Sequence, residues 1–126
     1  MALKPGLSGR AEVTVADADT AASLRSGDVP VLGTPRVVAL CEEATVRAVA
    51  SRLQPGETSV GRRVQLDHLA PSHIGETVTA EATLDQVVGR KLLFAVSVSD
   101  TRGLVAAGRL TRVVVNRARF LEQSPP

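Results

Sequence analysis

The sequence predicts an α+β domain in which an antiparallel sheet of about five strands wraps around one long central helix. Residues 33–53 form the only long stretch with helical rather than alternating periodicity. One alternating segment precedes this stretch, and four more follow it, separated by short turns. A single helix followed by a run of hairpin-linked strands is typical of an α+β fold. We expect the 126 residues to form a single domain.

The predicted central helix is apolar over most of its circumference. At about 100° per residue, its polar side chains gather on one narrow side. Those side chains are Arg36, Glu43, Arg47, Ser51 and Gln54. Other structure must therefore enclose this helix on several sides. Thr34 as N-cap and Pro35 in the first turn predict its start, and Pro55 and Gly56 predict its end.

Glu42 breaks the pattern of the helix because it points into the apolar arc. Glu43 lies on the polar side, four residues before Arg47, as expected of a solvated ion pair. A carboxylate in the apolar arc loses water on folding, which is costly unless a partner compensates. Two interpretations are open. Glu42 either meets an Arg at a crevice or subunit contact, or it is a catalytic acid, base or nucleophile.

The other elements are predicted from alternation and turn residues. A short helix at residues 21–25 lies in a small, polar segment, residues 17–31, that is typical of a lid or entrance wall. The predicted strands cover residues 10–16, 59–70, 77–87, 92–98 and 104–117. We expect residues 1–8 and 120–126 to be loose ends.

Two strands carry residues of interest. On the strand at residues 59–70, alternation places His68 on the face turned toward the helix, and Gly61 on the opposite face. The alternation of the last strand is ambiguous, because Arg112 shares a face with Leu110 and Val114.

Composition excludes several classes of function. A content of 44% apolar and 22% charged residues fits a soluble globular chain. No apolar run approaches the roughly 20 residues of a membrane span, and the start lacks the apolar core of a signal peptide, so we expect a cytoplasmic location. The net charge of +2 and the two aromatic residues argue against a nucleic-acid partner. Cys41 is the only cysteine, which excludes an internal disulfide and a cysteine-based zinc site; we expect no metal.

Three candidates for chemistry converge on the central helix. Thr34 lies at its start, Glu42 about 12 Å further along the axis, and His68 on the strand that faces it. His can shuttle a proton near neutral pH, Glu can act as base or nucleophile, and N–H groups at a helix start can hold an oxyanion. Each residue also has an ordinary explanation, since His68 could be a structural hydrogen-bonder and Thr34 an N-cap.

These residues carry a resemblance to a known family. The segments GTPRVVALCEEA, ETSVGRRVQLDHLAPSHIGETVTAEATL and GRKLLFAVSVSD resemble the hot-dog-fold acyl-CoA thioesterases, in the branch typified by fluoroacetyl-CoA thioesterase. The resemblance implies a hot-dog fold and hydrolysis of a small acyl-CoA thioester, with CoA as part of the substrate and no other cofactor. The catalytic set of the branch falls on Thr34, Glu42 and His68, and its acyl-pocket glycine on Gly61.

In the implied reaction, Glu42 attacks the thioester carbonyl or activates water, and His68 handles the proton transfers. We predict further substrate contacts at Gly33 and, for the phosphates of CoA, at a set of cationic residues. This set is Arg62, Arg63, Arg90, Lys91 and Arg112. The same cations also suit a solvated sheet face. The aromatic lid of the branch has no counterpart in residues 17–31, so selectivity for fluoroacetyl is not implied.

Two other functions stay open. A hot-dog protein with an open pocket could bind an acyl-CoA or another small ligand without catalysis. Alternatively, Glu42 and His68 could form a buried polar pair across a dimer interface, with a purely structural role. Because an antiparallel sheet has open edges, we expect a homodimer or a larger homo-oligomer in each case.

Overall fold

A computed structural model describes residues 3–123 of the chain. It contains five strands and three α-helices, with single turns of 3-10 helix before the first helix and after the second. The strands are β1 (Ser8–Thr14), β2 (Glu57–His68), β3 (Thr77–Val88), β4 (Lys91–Asp100) and β5 (Gly103–Asn116). The helices are α1 (Ala21–Leu24), α2 (Thr34–Val49) and α3 (Arg117–Leu121). Within this range, no helix is both long and apolar enough to cross a membrane.

The five strands form one antiparallel sheet in the order β1-β3-β4-β5-β2. The helix α2 packs against one face of this sheet, and Val37, Leu40 and Cys41 on its inner side are fully buried. The predicted arrangement of an antiparallel sheet around one central helix is confirmed. The residues that face inward from β3 and β4 complete the core: Val78, Ala80, Ala82, Leu84, Leu92, Phe94, Val96 and Val98.

The helix α2 comes into backbone contact with the sheet at β1. A Cβ atom added to Gly9 would collide with backbone atoms of Ala44 and Ala48. Glycine is therefore required here by the close approach of strand and helix. This contact sets the depth at which α2 lies in the sheet.

A β-bulge at Arg62 changes which residues of β2 face the helix. Gly61 and Arg63 pair with consecutive residues of β5, so Arg62 is an extra residue in β2. Ser59 and Gly61 face α2 before the bulge, and His68 faces it after the bulge. The prediction that Gly61 faces away from the helix was wrong, because simple alternation does not allow for the extra residue.

Both ends of the described range make hydrogen bonds close to the sheet. Gly6 and Leu7 exchange backbone hydrogen bonds with Leu84 of β3. At the other end, α3 follows β5 directly, and the side chain of Asn116 caps it by accepting a hydrogen bond from the Arg119 N–H. That residues 1–8 and 120–126 are loose ends stays a prediction. The first two and last three residues lie outside the described range.

Candidate functional site

The start of α2 brings Thr34 against His68. The N-cap is Gly33, and Thr34 is the first helical residue, so the prediction of Thr34 as N-cap was wrong by one position. As a result, its hydroxyl does not cap the helix and is free to bond elsewhere. Thr34 Oγ1 lies 2.8 Å from His68 Nδ1, a hydrogen bond between helix and strand. His68 faces the helix, as predicted.

The backbone donors at the start of α2 are mostly engaged. The Gly33 N–H donates to the Asp19 carbonyl, and the N–H groups of Arg36 and Val37 donate to the Gly33 carbonyl. The N–H of Thr34 has no acceptor in the helical ladder, since it lies in the first turn. Gly33 therefore caps the helix, and the backbone N–H of Thr34 is the donor that remains for a ligand at the start of α2.

Nε2, the second ring nitrogen of His68, lacks among the described residues a hydrogen-bond partner of the kind that Nδ1 has in Thr34. Nε2 is buried and makes no hydrogen bond within residues 3–123. Burial lowers the pKa of His68 below its ordinary value of 6.5, and the backbone of Ala70 opposes this shift in part. The ring is therefore neutral at pH 7. With Nδ1–H donating to Thr34, Nε2 can accept a proton; with the Thr34 hydroxyl donating, Nε2–H can donate one.

Thr34 and His68 line a cavity of about 370 Å³. Its remaining walls come from α1, from the connection at residues 26–32, and from residues 69–71 after β2. The segment predicted as an entrance wall, residues 17–31, thus contributes much of this wall. Most lining side chains are apolar, as expected of a small-molecule pocket with a few polar groups.

Glu42 lies just over two turns further along α2, beside β2 and β5. Its Oε2 accepts a hydrogen bond from Arg112 Nη1 at 3.4 Å, and a Cβ atom on Gly61 would collide with the same oxygen. The Glu42 side chain is 37% exposed, so the prediction of a desolvated carboxylate was wrong. The missing side chain of Gly61 leaves the space that this carboxylate occupies.

Arg112 holds the Glu42 carboxylate from inside the sheet. Arg112 is buried, and its Nε and Nη2 donate to the side-chain and backbone oxygens of Ser59, both at 2.9 Å. Burial lowers the pKa of Arg112, and the negative charge of Glu42 opposes this shift. An Arg partner for Glu42 was one of the two interpretations left open, but the sequence did not identify Arg112 or Ser59 in this role. The indication was the ambiguous face of β5, where Arg112 lies between the buried Leu110 and Val114.

The structure does not join Glu42 to His68. In the described residues, the pairs Thr34 with His68 and Glu42 with Arg112 are separate. The eight residues from Thr34 to Glu42 correspond to about 12 Å along the helix axis. Helical side chains lean toward the N-terminus, which brings the Glu42 carboxylate closer to Thr34. A second hollow of about 500 Å³ includes Val46, so Glu42 lies along α2 between two hollows.

The predicted phosphate-binding residues do not form a single group. A shallow hollow of about 280 Å³ is lined by three of them, Arg62, Arg63 and Lys91. Arg90 lies elsewhere, with Nη1 3.8 Å from the carboxylate of Glu57. Arg112 is buried and bound to Ser59. The cations in the shallow hollow are thus the ones left for an external anion.

Cys41 packs in the core, as predicted. Burial raises the pKa of its thiol to about 11, and the neighbouring charge of Glu42 adds to the shift. The thiol therefore stays protonated at neutral pH and is a poor nucleophile. Among residues 3–123, no group of three or more His, Cys, Asp and Glu side chains is placed to hold a metal ion.

Comparison with known proteins agrees with the resemblance in the sequence. The family model described as fluoroacetyl-CoA-specific thioesterase matches residues 15–118. The chain belongs to this family. It is 39% identical over 90 residues to the fluoroacetyl-CoA thioesterase of Streptantibioticus cattleyicolor. That match covers 71% of this chain but only 65% of the relative, just under two thirds of its length.

Solved structures of this family and of more distant proteins share the fold. The fluoroacetyl-CoA thioesterase FlK is 31% identical and superposes with a TM-score of 0.89 over 100% of both chains. A hot-dog-like protein from Thermanaerovibrio acidaminovorans is 27% identical, with a TM-score of 0.85 over 94% of this chain and 87% of that one. A thioesterase superfamily member from Thermus thermophilus is 26% identical, with a TM-score of 0.86 over 94% of this chain and 88% of that one. The predicted hot-dog fold is confirmed.

The lowered pKa of His68 predicts a specific pH dependence of stability. Because the unfolded chain takes up a proton at this ring more readily than the folded chain, the free energy of unfolding should fall as pH decreases through about 6.5. We expect this loss to be smaller in His68→Asn when denaturant unfolding is compared at about pH 7.5 and about pH 5.5. The matched control, His73→Asn, replaces the other histidine, which is exposed. Equal losses in the wild type and in His68→Asn would contradict the prediction.

Proposed function

We propose that this protein hydrolyses a small acyl-CoA thioester to the free acid and CoA, using Thr34, Glu42 and His68. The observation that carries the proposal is the bond from Thr34 to His68 Nδ1, which leaves a neutral ring with an unpartnered Nε2 at the wall of a cavity. Membership of the thioesterase family supports it. Variants of FlK have been solved with acetyl-CoA and with fluoroacetate and CoA, which supports an acyl-CoA as ligand.

Glu42 provides the carboxylate in the proposed reaction. It either attacks the thioester carbonyl, which forms an acyl-enzyme anhydride and releases the CoA thiolate, or it removes a proton from the attacking water. Arg112 holds Oε2 and keeps the carboxylate in place beside Gly61. The other oxygen, Oε1, makes no hydrogen bond to the described residues and is the one that reacts.

His68 moves the protons in this scheme through Nε2. If Glu42 forms the anhydride, the CoA thiolate leaves first and takes its proton from solvent, and His68 then accepts a proton from the water that attacks the anhydride and releases it to solvent. If Glu42 instead takes the proton from the attacking water, His68 relays that proton from Glu42 to the departing thiolate. Thr34 fixes the ring through Nδ1. Its N–H, at the positive end of the α2 dipole, is suited to stabilise the negative oxygen that forms on the carbonyl.

The central test of this function compares two neighbouring glutamates. Glu42→Gln should lower the rate of thiol release from short acyl-CoA thioesters by on the order of 10²-fold or more, because it removes the reacting carboxylate. Glu43→Gln is the matched control, since Glu43 is exposed on the outer side of the same helix. The midpoint of thermal unfolding should show that both variants fold. Wild-type turnover by Glu42→Gln would overturn the assignment.

A second candidate function is the binding of an acyl-CoA without hydrolysis. The observation that favours it is the lack of an aromatic residue in residues 17–31, because a wall of small side chains excludes water less well. Wild-type protein that binds acyl-CoA but releases no thiol would establish this second function.

We further propose that the phosphates of CoA bind in the shallow hollow formed by Arg62, Arg63 and Lys91. Within residues 3–123, none of these three cations has an ion-pair partner, whereas Arg90 and Arg112 each have a carboxylate nearby. Arg and Lys are well suited to phosphate oxygens. The hollow lies on the face of the sheet turned away from α2, because its lining residues Leu93 and Thr111 alternate with the buried Leu92 and Arg112.

Arg63→Gln tests the position of the phosphates. We expect a severalfold increase of KM for acyl-CoA with little change of kcat, because uniform binding of the nucleotide end is lost. The matching acyl-pantetheine has no nucleotide phosphates, so its KM should not change. Arg119→Gln, which alters an exposed arginine outside this hollow, serves as control. An equal effect of Arg63→Gln on both substrates would rule out the phosphate contact.

We also propose that the protein acts as a homodimer or larger homo-oligomer in the cytoplasm. The support for self-association is the position of β2 at the edge of the sheet, where its free side has unpaired backbone groups. Val64 on this strand is 40% exposed, which leaves an apolar side chain available to a second copy.

A further inference from the structure

Asp28, an exposed residue, is the one acidic residue among the described residues that line the cavity beside His68. The cavity's other polar lining side chains, Ser26, Thr34 and the neutral His68, carry no formal charge. Within residues 3–123, Asp28 makes no hydrogen bond or ion pair. By contrast, the nearby Asp19 is paired with Arg36, whose Nε lies 3.0 Å from its carboxylate. The cavity therefore has an uncompensated negative charge at one point of its wall.

The connection that carries Asp28 is held in place at both ends. At one end, the residue that terminates α1, Arg25, adopts a left-handed conformation with φ of 60° and turns the chain. At the other end, the carbonyls of Val29 and Val31 accept hydrogen bonds from α1 at 3.2 and 2.8 Å, and Val31 also bridges to His73. The backbone at Asp28 is thus held beside the cavity.

An unpaired carboxylate beside a bound ligand discriminates between ligands by their charge. It repels a second anion and attracts a cation or a hydrogen-bond donor. Because Asp28 is exposed, water and salt screen this effect, which therefore acts only on ligand groups within about 8 Å at about 0.15 M ionic strength. Thioesters that share the CoA portion differ only in the acyl group, so, at equal chain length, a charge on that group changes their relative affinity.

We propose that Asp28 makes this cavity selective for short acyl groups that end in an amino or hydroxyl group, and against acyl groups that end in a carboxylate. This inference rests on the proposed function for the presence of an acyl-CoA, and it names the class of acyl group. Asp28 acts as a specificity residue, separate from the chemistry of Glu42 and His68.

The test uses three S-alkyl-CoA thioethers of equal chain length that end in an amino, a methyl or a carboxylate group. Thioethers cannot be hydrolysed, so their dissociation constants, measured by calorimetry at about 0.15 M salt, do not depend on catalysis. The proteins compared are the wild type, Asp28→Asn and the control Asp67→Asn. Asp67 is next to His68 in the chain and exposed, but does not line this cavity.

The wild type should bind the amino compound about tenfold more tightly than the carboxylate compound. Asp28→Asn should reduce this ratio to about threefold or less, while affinity for the methyl compound changes less than about twofold. Asp67→Asn should keep the wild-type ratio. An unchanged ratio in Asp28→Asn, or no binding of any of the three compounds, would overturn the inference. If the affinity ratios are as predicted but the protein hydrolyses no thioester, the proposed function is overturned and the inference about Asp28 stands.

Discussion

The backbone contact between β1 and α2 at Gly9 is the constraint on which the rest of the structure depends. No side chain separates strand and helix there, so the sheet can curl closely around α2. The small side chains of Ala44 and Ala48 continue this tight packing on the helix. With the depth of α2 fixed, the far edge of the helix comes against β2 and β5. This is the edge that carries Thr34 and Glu42.

Opposite kinds of interaction hold the two halves of the candidate site. At the start of α2, a neutral hydrogen bond orients His68 and leaves one ring nitrogen open. Near the middle of α2, a buried arginine bound to Ser59 holds a half-exposed carboxylate. The first arrangement suits proton transfer at neutral pH, because burial favours the uncharged ring. The second holds one carboxylate oxygen in place, because the guanidinium that donates to it is itself bound to Ser59.

Much of the fold could be predicted because burial patterns determine it. The residues of β3 and β4 alternate between buried and exposed, so one face of the sheet must be covered. The surface of α2 is apolar on almost all sides, so a sheet that wraps around the helix buries both surfaces. The errors arose where one residue of register matters. The extra residue at Arg62 reversed the faces of β2 before the bulge, and the shift of the N-cap to Gly33 released the Thr34 hydroxyl. Neither change alters composition or periodicity enough to be detected.

The partners of charged side chains were also beyond the sequence. Arg47 was expected to pair with Glu43, but it donates to the Arg10 carbonyl at 2.9 Å, because β1 lies within its reach. Arg112 was assigned to a phosphate, yet it turns inward to Ser59 and Glu42. Long flexible side chains choose among several acceptors, and this choice depends on tertiary contacts that one sequence does not display. Residue types therefore predicted which side chains belong to the candidate site better than they predicted the hydrogen-bond and ion-pair partners of those side chains.

The most direct test is whether Glu42 and His68 act on the same bound thioester. A double-mutant cycle on kcat/KM for acetyl-CoA, with Glu42→Gln and His68→Asn made singly and together, measures this coupling. If both groups serve one reaction, the double variant should be about as slow as the slower single variant, within roughly threefold. If the two losses multiply, the residues act independently, and the two pairs along α2 do not form one active site.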